Sequence, residues 1–146
     1  MAWRVTFEPG DVRVVARKNG EVVAEKSLKT AGAPHHIRLT PNRQVIKANG
    51  RSLSFVTVEV VDKDGNLCPW AENNILFSLT GEAKIAGVDN GSPFSLERFQ
   101  AHERRAFFGK CLVVVQAGKS PSAVQLTAKA VDLAPQTIEI NTVDAR

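Results

Sequence analysis

The chain has 146 residues, of which 43% are hydrophobic and 23% charged, which is the composition of a folded globular protein. This length predicts one domain, or one domain with part of another, and favours a module over a complete enzyme. The two cysteines exclude a disulfide-rich scaffold. The net charge of +4 comes from charges that mostly alternate in sign, without interleaved aromatic residues, so we expect no nucleic-acid partner.

The sequence also predicts no membrane partner. No apolar stretch approaches the roughly 18 residues needed to cross a bilayer. The first residues lack the basic start and apolar run of a signal peptide. Cys111 lies in a strand-like run and is expected to be a buried free thiol, although a bond with Cys68 stays open at this point.

Strand signals follow one another at short intervals along the whole chain. An Asn-Gly pair at Asn19 joins two β-rich runs and predicts a hairpin. The run 53–61 is apolar on both faces in its later half, as expected in the middle of a sandwich. The predicted strands are 3–7, 12–17, 21–28, 37–39, 53–61, 75–79, 84–88, 110–116, 123–130 and 137–141. Because turn residues separate nearly all of them and no long helical stripe occurs, the sequence predicts an all-β, antiparallel sandwich.

One segment, 91–109, lacks a clear strand and holds four of the seven phenylalanines. A connection of this length in a compact domain is usually functional, and its apolar side chains would be exposed without a partner. We therefore predict an interface here. Aromatic and arginine side chains commonly anchor interfaces, so the candidate anchors are Phe94, Arg98, Phe99 and Arg105.

Few residues suggest chemistry. The run 62–66 superficially resembles a calcium loop but lacks its closing Glu, and a tight turn explains it better. His35 and His36 are expected to point to opposite sides of an extended segment. Trp70 and the Asp89 carboxylate are weak candidates for a glycan contact, against a buried Trp and a turn Asp. We predict no catalytic residue, no metal site and no cofactor.

Three stretches carry a family resemblance. The run 49–66 resembles the opening of the invasin-like bacterial Ig domain at the C-terminal end of glycoside hydrolase family 2 β-galactosidases. The runs 85–93 and 105–113 are similar to the later signature of that domain, and 3–32 is similar to the closing strands of the Ig-like domain preceding it. The resemblance implies an immunoglobulin-like sandwich at 37–146, preceded at 1–36 by two or three strands of an incomplete domain.

The resemblance also implies a function. The catalytic glutamates of such enzymes lie in a (β/α)-barrel, and no position here matches them, so the chain is expected to be a non-catalytic accessory module for structure or docking. The implied parent is a periplasmic or secreted bacterial enzyme acting on β-galactosides, and the implied partners are its remaining domains. The alternatives are a carbohydrate-binding module and then an adhesin-like surface domain. Since a few strands cannot bury a core alone, we also expect self-association through residues 3–28.

Overall fold

The computed structural model describes residue 4 and residues 6–145, and its secondary structure is all β. The strands are β1 (Asp11–Lys18), β2 (Glu21–Lys29), β3 (His36–Pro41), β4 (Val45–Lys47), β5 (Leu53–Val61), β6 (Asn74–Thr80), β7 (Ala83–Asp89), β8 (Glu103–Arg105), β9 (Lys110–Ala117), β10 (Ser122–Ala130) and β11 (Leu133–Val143). Among the described residues, no helix has the length and apolarity that a membrane span requires.

Strands β3 to β11 form the predicted sandwich. One layer has the order β7-β9-β5-β3, and the other runs from β11 through β10 and β6 to β8, with β4 paired to β11. The layers meet where β3 and β11 pair in parallel at His36 and Ala134. Most other pairs are antiparallel, so the prediction of an all-β, immunoglobulin-like fold is confirmed.

The core lies between the two layers and follows from alternation along the strands. In β5 the buried side chains are Ser54, Val56, Val58, Val60 and Val61, and the valines at 56, 58 and 60 belong to one cluster with buried residues of β9, β10 and β11. Because β5 has β3 on one side and β9 on the other, it lies inside its sheet, as its apolar pattern predicts.

Two short strands were not predicted. β4 has three residues and pairs in parallel with β11, and β8 pairs with β6 inside the segment expected to contain no strand. The sequence of β8, Glu-Arg-Arg, has no strand propensity of its own. Both strands exist because the neighbouring strands supply hydrogen-bonding partners, which local sequence cannot reveal.

The predicted hairpin is present and stands apart from the sandwich. β1 and β2 form a separate two-stranded sheet around a turn in which Asn19 and Gly20 both have positive φ angles, of 51° and 85°. Every residue of β2 is exposed, so the hairpin does not fold back on the sandwich. The predicted strand 3–7 is only partly covered, because Trp3 and Val5 lie outside the described residues, and the rest of it is not in a strand.

Candidate docking interface

The sandwich has an apolar end. We call it the linker end, because residues 30–35 join the hairpin to the sandwich there, beside the loops 62–73, 90–102, 106–109 and 131–132. Its exposed large hydrophobic side chains are Trp70, Phe94, Leu96, Phe99, Phe108 and Val131, with Phe94 84% and Leu96 99% exposed. Among the described residues, none of the exposed large hydrophobics lies in the loops of the opposite end, 48–52, 81–82 and 118–121.

Arg104 organises the long segment at the linker end. It lies on β8 beneath the segment, and its side chain is 1% exposed. Its guanidinium group donates to the carbonyl oxygens of Arg98 at 2.6 Å and Val88 at 3.0 Å. It also lies 3.5 Å from the Glu97 carboxylate and 5.6 Å from the centre of the Phe99 ring. One buried side chain thus holds the backbone of 97–98 against the end of β7.

The aromatic side chains stay outside because Arg104 occupies the space below them. The backbone of Phe99 is a further fixed point, because its carbonyl accepts a hydrogen bond of 2.7 Å from the N–H of Val88. With its carbonyl groups directed inward, the segment presents Phe94 and Leu96 to solvent on an ordered backbone. An ordered, exposed apolar surface is the property that a docking site requires.

A groove of about 650 Å³ lies beside this segment. Its apolar walls include Phe94, Leu96 and Phe107, and its polar walls include Glu72, Asn74, Asn90, Glu103 and Arg105. The backbone of Arg105 is fixed, since its N–H donates to Glu97 at 3.2 Å and its carbonyl accepts from Asn90 at 2.9 Å. Its guanidinium is 63% exposed and 3.8 Å from Glu72, so most of its donors face solvent.

The structure brings only some of the predicted residues together. Phe94 and Arg105 line the groove, whereas Arg98 and Phe99 are exposed on the part of the segment that Arg104 holds. The Asp89 carboxylate accepts from the N–H groups of Asn90 and Gly91, which makes it a turn residue. Trp70 is 56% exposed and lines a different groove, to which Asp89 does not contribute.

Sequence reasoning missed the central role of Arg104. It stands next to Arg105 and near Arg98, so its sequence environment is that of a basic, solvated face. The signal that distinguishes it is its position in β8, where Glu103 and Arg105 point outward and Arg104 points inward. Since β8 depends on pairing with β6, that signal appears only in the folded chain.

The other polar candidates are structural. The Asp62 carboxylate accepts from the backbone N–H groups of Gly32, Asp64 and Asn66 and from the Asn66 side chain, so it closes a turn. The expectation that His35 and His36 point apart is wrong, because their Nδ1 atoms lie 3.2 Å from each other. Within the described residues, no three His, Cys, Asp or Glu side chains form a possible metal site.

The two cysteines are both buried free thiols. Burial raises the pKa of Cys111 to about 12, so its thiol is protonated and unreactive at neutral pH.

Comparison with known proteins assigns the family. A family model described as glycoside hydrolase family 2 C-terminal domain 5 matches residues 37–139. The chain belongs to this family. The chain is 53% identical over 141 residues to the β-galactosidase BoGH2A of Bacteroides ovatus. This match covers 97% of the chain and 17% of that enzyme. It is 29% identical over 125 residues to a β-galactosidase of Thermoanaerobacter pseudethanolicus, covering 86% of the chain and 15% of that enzyme.

Solved structures agree with this assignment. A glycosyl hydrolase family 2 member from Bacteroides cellulosilyticus is 37% identical to the chain, with a TM-score of 0.91. The match covers 97% of the chain and 18% of that protein. A β-glycosidase from Bacteroides vulgatus is 31% identical, also with a TM-score of 0.91, over 95% of the chain and 18% of that protein. The chain therefore spans less than a fifth of the length of these relatives.

Proposed function

We propose that the chain is a non-catalytic accessory domain of a longer glycoside hydrolase acting on β-galactosides, and that its linker end docks it against the rest of that enzyme. The observation that carries the proposal is the exposed apolar segment around Phe94, which is ordered by a buried arginine but covered by nothing in the described chain. The match to only 17% of a β-galactosidase supports a role as one part of a larger enzyme.

The chemistry of the chain supports an accessory role. The groove beside Phe94 has three carboxylates, but Glu97 is tied to Arg104, Glu103 accepts from Asn74 at 2.9 Å, and Glu72 is 70% exposed. A retaining glycosidase needs one carboxyl group protonated near neutral pH beside a second, ionised one about 5 Å away. Because each of these three carboxylates is held by a partner or lies largely in solvent, the proposal assigns catalysis to the remainder of the enzyme.

A domain exchange tests the proposal. In BoGH2A, the region matching this chain is replaced by the chain itself, with Phe94 intact or changed to Ala. Because Phe94 is 84% exposed in the chain alone, Phe94→Ala leaves the unfolding temperature of the isolated chain unchanged. If docking buries the ring, the same change lowers the unfolding temperature of the hybrid by several degrees, since burying a Phe contributes about 2 kcal/mol.

Val45→Ala is the control, because Val45 is 56% exposed on β4, which pairs with the end of β11 far from the linker end. It should leave the hybrid unchanged. Equal unfolding temperatures for the Phe94→Ala hybrid and its parent would contradict docking through this segment. Retention of the isolated chain in a gel containing a β-galactan would instead favour the carbohydrate-binding alternative.

A further inference from the structure

We propose that the tip of the hairpin is a site of spontaneous covalent modification, at which Asn19 loses its side-chain amide as ammonia and is converted to aspartate and isoaspartate. The chain contains three Asn-Gly pairs, which are Asn19-Gly20, Asn49-Gly50 and Asn90-Gly91. The structure distinguishes them, because it leaves the reacting groups of the first pair free and holds those of the other two. The inference concerns the chain itself and does not depend on the proposed function.

An Asn-Gly pair reacts through its own backbone. The glycine nitrogen bonds to the side-chain carbonyl carbon of the asparagine, which closes a succinimide ring, and the side-chain nitrogen leaves as ammonia with the proton that the glycine nitrogen loses. Glycine favours this step because it has no side chain to hinder the close approach. Water then opens the ring. Breaking the bond from the nitrogen to the side-chain carbonyl carbon gives aspartate, and breaking the bond to the main-chain carbonyl carbon gives isoaspartate.

The Asn19-Gly20 pair is open to this reaction. It forms the two-residue turn between β1 and β2, and both of its residues are exposed. Among the described residues, neither the Asn19 side chain nor the N–H of Gly20 has a hydrogen-bonding partner. A β-carbon built on Gly20 would meet no atom within 4 Å, so space is available for the ring. The attacking nitrogen and the carbon that it attacks are therefore both free.

The Asn49-Gly50 pair is held at both reacting groups. The Asn49 side-chain oxygen accepts hydrogen bonds from the N–H groups of Arg51 at 2.9 Å and Ser52 at 2.8 Å. The Gly50 N–H donates to the Gly118 carbonyl at 2.8 Å. Both residues of the pair are also half-buried. The reaction at this pair therefore requires that these contacts open first.

The Asn90-Gly91 pair is held in a similar way. The Asn90 side-chain nitrogen donates to the Arg105 carbonyl at 2.9 Å, and the side-chain oxygen accepts from the Ser92 N–H at 3.0 Å. The Gly91 N–H donates to the Asp89 carboxylate at 3.2 Å. Because that carboxylate is negatively charged, it also opposes the loss of the proton from the Gly91 nitrogen.

The charges at the tip of the hairpin favour the reaction at Asn19. The Gly20 nitrogen must lose its proton, and positive charge nearby stabilises the anion that results. The Arg17 guanidinium donates to the Gly20 carbonyl at 3.1 Å, and Lys18 precedes the turn, whereas Glu21 follows it. Two cationic residues are therefore opposed by one carboxylate at this turn.

The two products differ in their effect on the hairpin. The strand register pairs Lys18 with Glu21 across the turn, so the turn has room for two residues. Aspartate keeps this length and tolerates the φ angle of 51° at position 19. Isoaspartate adds a methylene group to the main chain, and the ends of both strands must move to accommodate it. The isoaspartyl product therefore loosens the tip of the hairpin, whereas the aspartyl product retains its structure.

The test follows the folded chain of 146 residues during incubation in mildly alkaline buffer. Peptide mapping by mass spectrometry measures the loss of each amide, and electron-transfer fragmentation distinguishes isoaspartate from aspartate. We expect Asn19 to be converted at least about tenfold faster than Asn49 or Asn90, because hydrogen bonds must open before either of those pairs can react. Equal rates at the three pairs, or a faster reaction at Asn49 or Asn90, would contradict the proposal.

Two controls separate the effect of structure from that of sequence. In urea that unfolds the chain, the three pairs should react at similar rates, since each then behaves as an open Asn-Gly pair. A preference for Asn19 that persists unchanged in urea would contradict the structural argument. Asn19→Gly is the matched variant, because Gly-Gly also suits this type of turn but has no side-chain amide. It should keep the circular dichroism spectrum and abolish the fast loss of ammonia, and a fast loss that persists in this variant would overturn the assignment.

A further measurement tests the consequence for the hairpin. The aspartyl and isoaspartyl forms are separated by chromatography, and hydrogen exchange of the peptide 11–29 is compared between them. Exchange should be faster in the isoaspartyl form, because its strand ends open more readily. Equal exchange in the two forms would contradict the expected loosening of the tip.

Discussion

Arg104 shows how one buried charge can order a long loop. Removing a guanidinium group from water is costly, and in this chain the cost is offset by carbonyl oxygens of the loop and by the Glu97 carboxylate. Its Nε atom has no hydrogen-bonding partner among the described residues, so the compensation is incomplete. Such a residue contributes to the specific arrangement of the loop more than to net stability.

We expect Arg104→Met to destabilise the chain by about 3 kcal/mol, since it leaves buried carbonyl groups without donors. Urea unfolding followed by circular dichroism measures this free energy. Arg105→Met is the control, because Arg105 is 63% exposed and its ion pair with Glu72 is a surface contact of 3.8 Å. A loss of similar size in both variants would show that the contacts of Arg104 with the loop carry no special weight.

Asp62 is a second single residue that affects the stability of the chain, in this case through its charge. Donation by the Asn66 side chain and by the Gly32 backbone N–H holds the pKa of its carboxyl group well below its usual range. Because the unfolded chain has the ordinary value near 3.9, the unfolded state binds a proton first as the pH falls. The stabilisation by Asp62 is therefore complete above about pH 5 and is lost progressively at lower pH.

The expected consequence is a fall in unfolding temperature between pH 5 and pH 3 that is smaller in Asp62→Asn than in the unchanged chain. Calorimetric scans across this range measure it, and Asp64→Asn, with an exposed side chain, should keep the full fall. Part of the dependence remains in every variant, because Glu59 also has a lowered pKa: burial raises it, but hydrogen bonds from Arg38 and Lys110 outweigh burial. A fall of equal size in Asp62→Asn and the unchanged chain would contradict the assignment.

At the scale of the elements, the turn from β8 to β9 locks the linker end together. Phe108 and Gly109 have φ angles of 49° and 75°, and Phe107 and Lys110 exchange backbone hydrogen bonds across them. The Gly109 N–H donates to the Ala71 carbonyl at 3.0 Å, which ties this turn to the loop that carries Trp70. A β-carbon at Gly109 would collide with the carbonyl oxygen of Cys68.

We therefore expect Gly109→Ala to destabilise the chain by several times more than Gly91→Ala. Both glycines have positive φ angles, so each substitution carries about 1 kcal/mol of backbone strain. At Gly91 nothing lies within 4 Å of the added carbon, whereas at Gly109 the backbone itself must move. Chemical denaturation compares the two variants, and equal losses would mean that the turn and the Trp70 loop are not in firm contact.

At the scale of the whole molecule, the parts of the fold that depend on local pattern could be predicted and those that depend on pairing could not. The alternation in β5 and the Asn-Gly turn at Asn19 are local signals, and both correctly indicated structure. β4 and β8 carry no such signal, because each forms only where a longer neighbour supplies its hydrogen bonds. For the candidate site, the aromatic composition of residues 91–109 indicated an exposed segment. The burial of Arg104 beneath that segment depends on its position in β8, which the local sequence does not indicate.

The division into residues 1–36 and 37–146 stays a prediction. β3 begins at His36 and the family model begins at residue 37, which is consistent with a boundary there. The hairpin is hydrogen-bonded to neither layer of the sandwich among the described strands. The self-association expected for 3–28 is likewise untested, and the light-scattering mass of the isolated chain at high concentration would decide it.

The edges of the two sheets have a consequence for handling the isolated chain. The edge strands of the sandwich are unsuited to intermolecular pairing, since β4 and β8 have only three residues and β7 is interrupted by a bulge between Ile85 and Gly87. The hairpin strands have eight and nine residues, and their bulge, between Ala16 and Arg17, lies next to the turn and leaves most of each edge regular. When the chain is produced alone, aggregation is therefore expected to begin at the hairpin, and removing it should raise the solubility limit while leaving the sandwich folded.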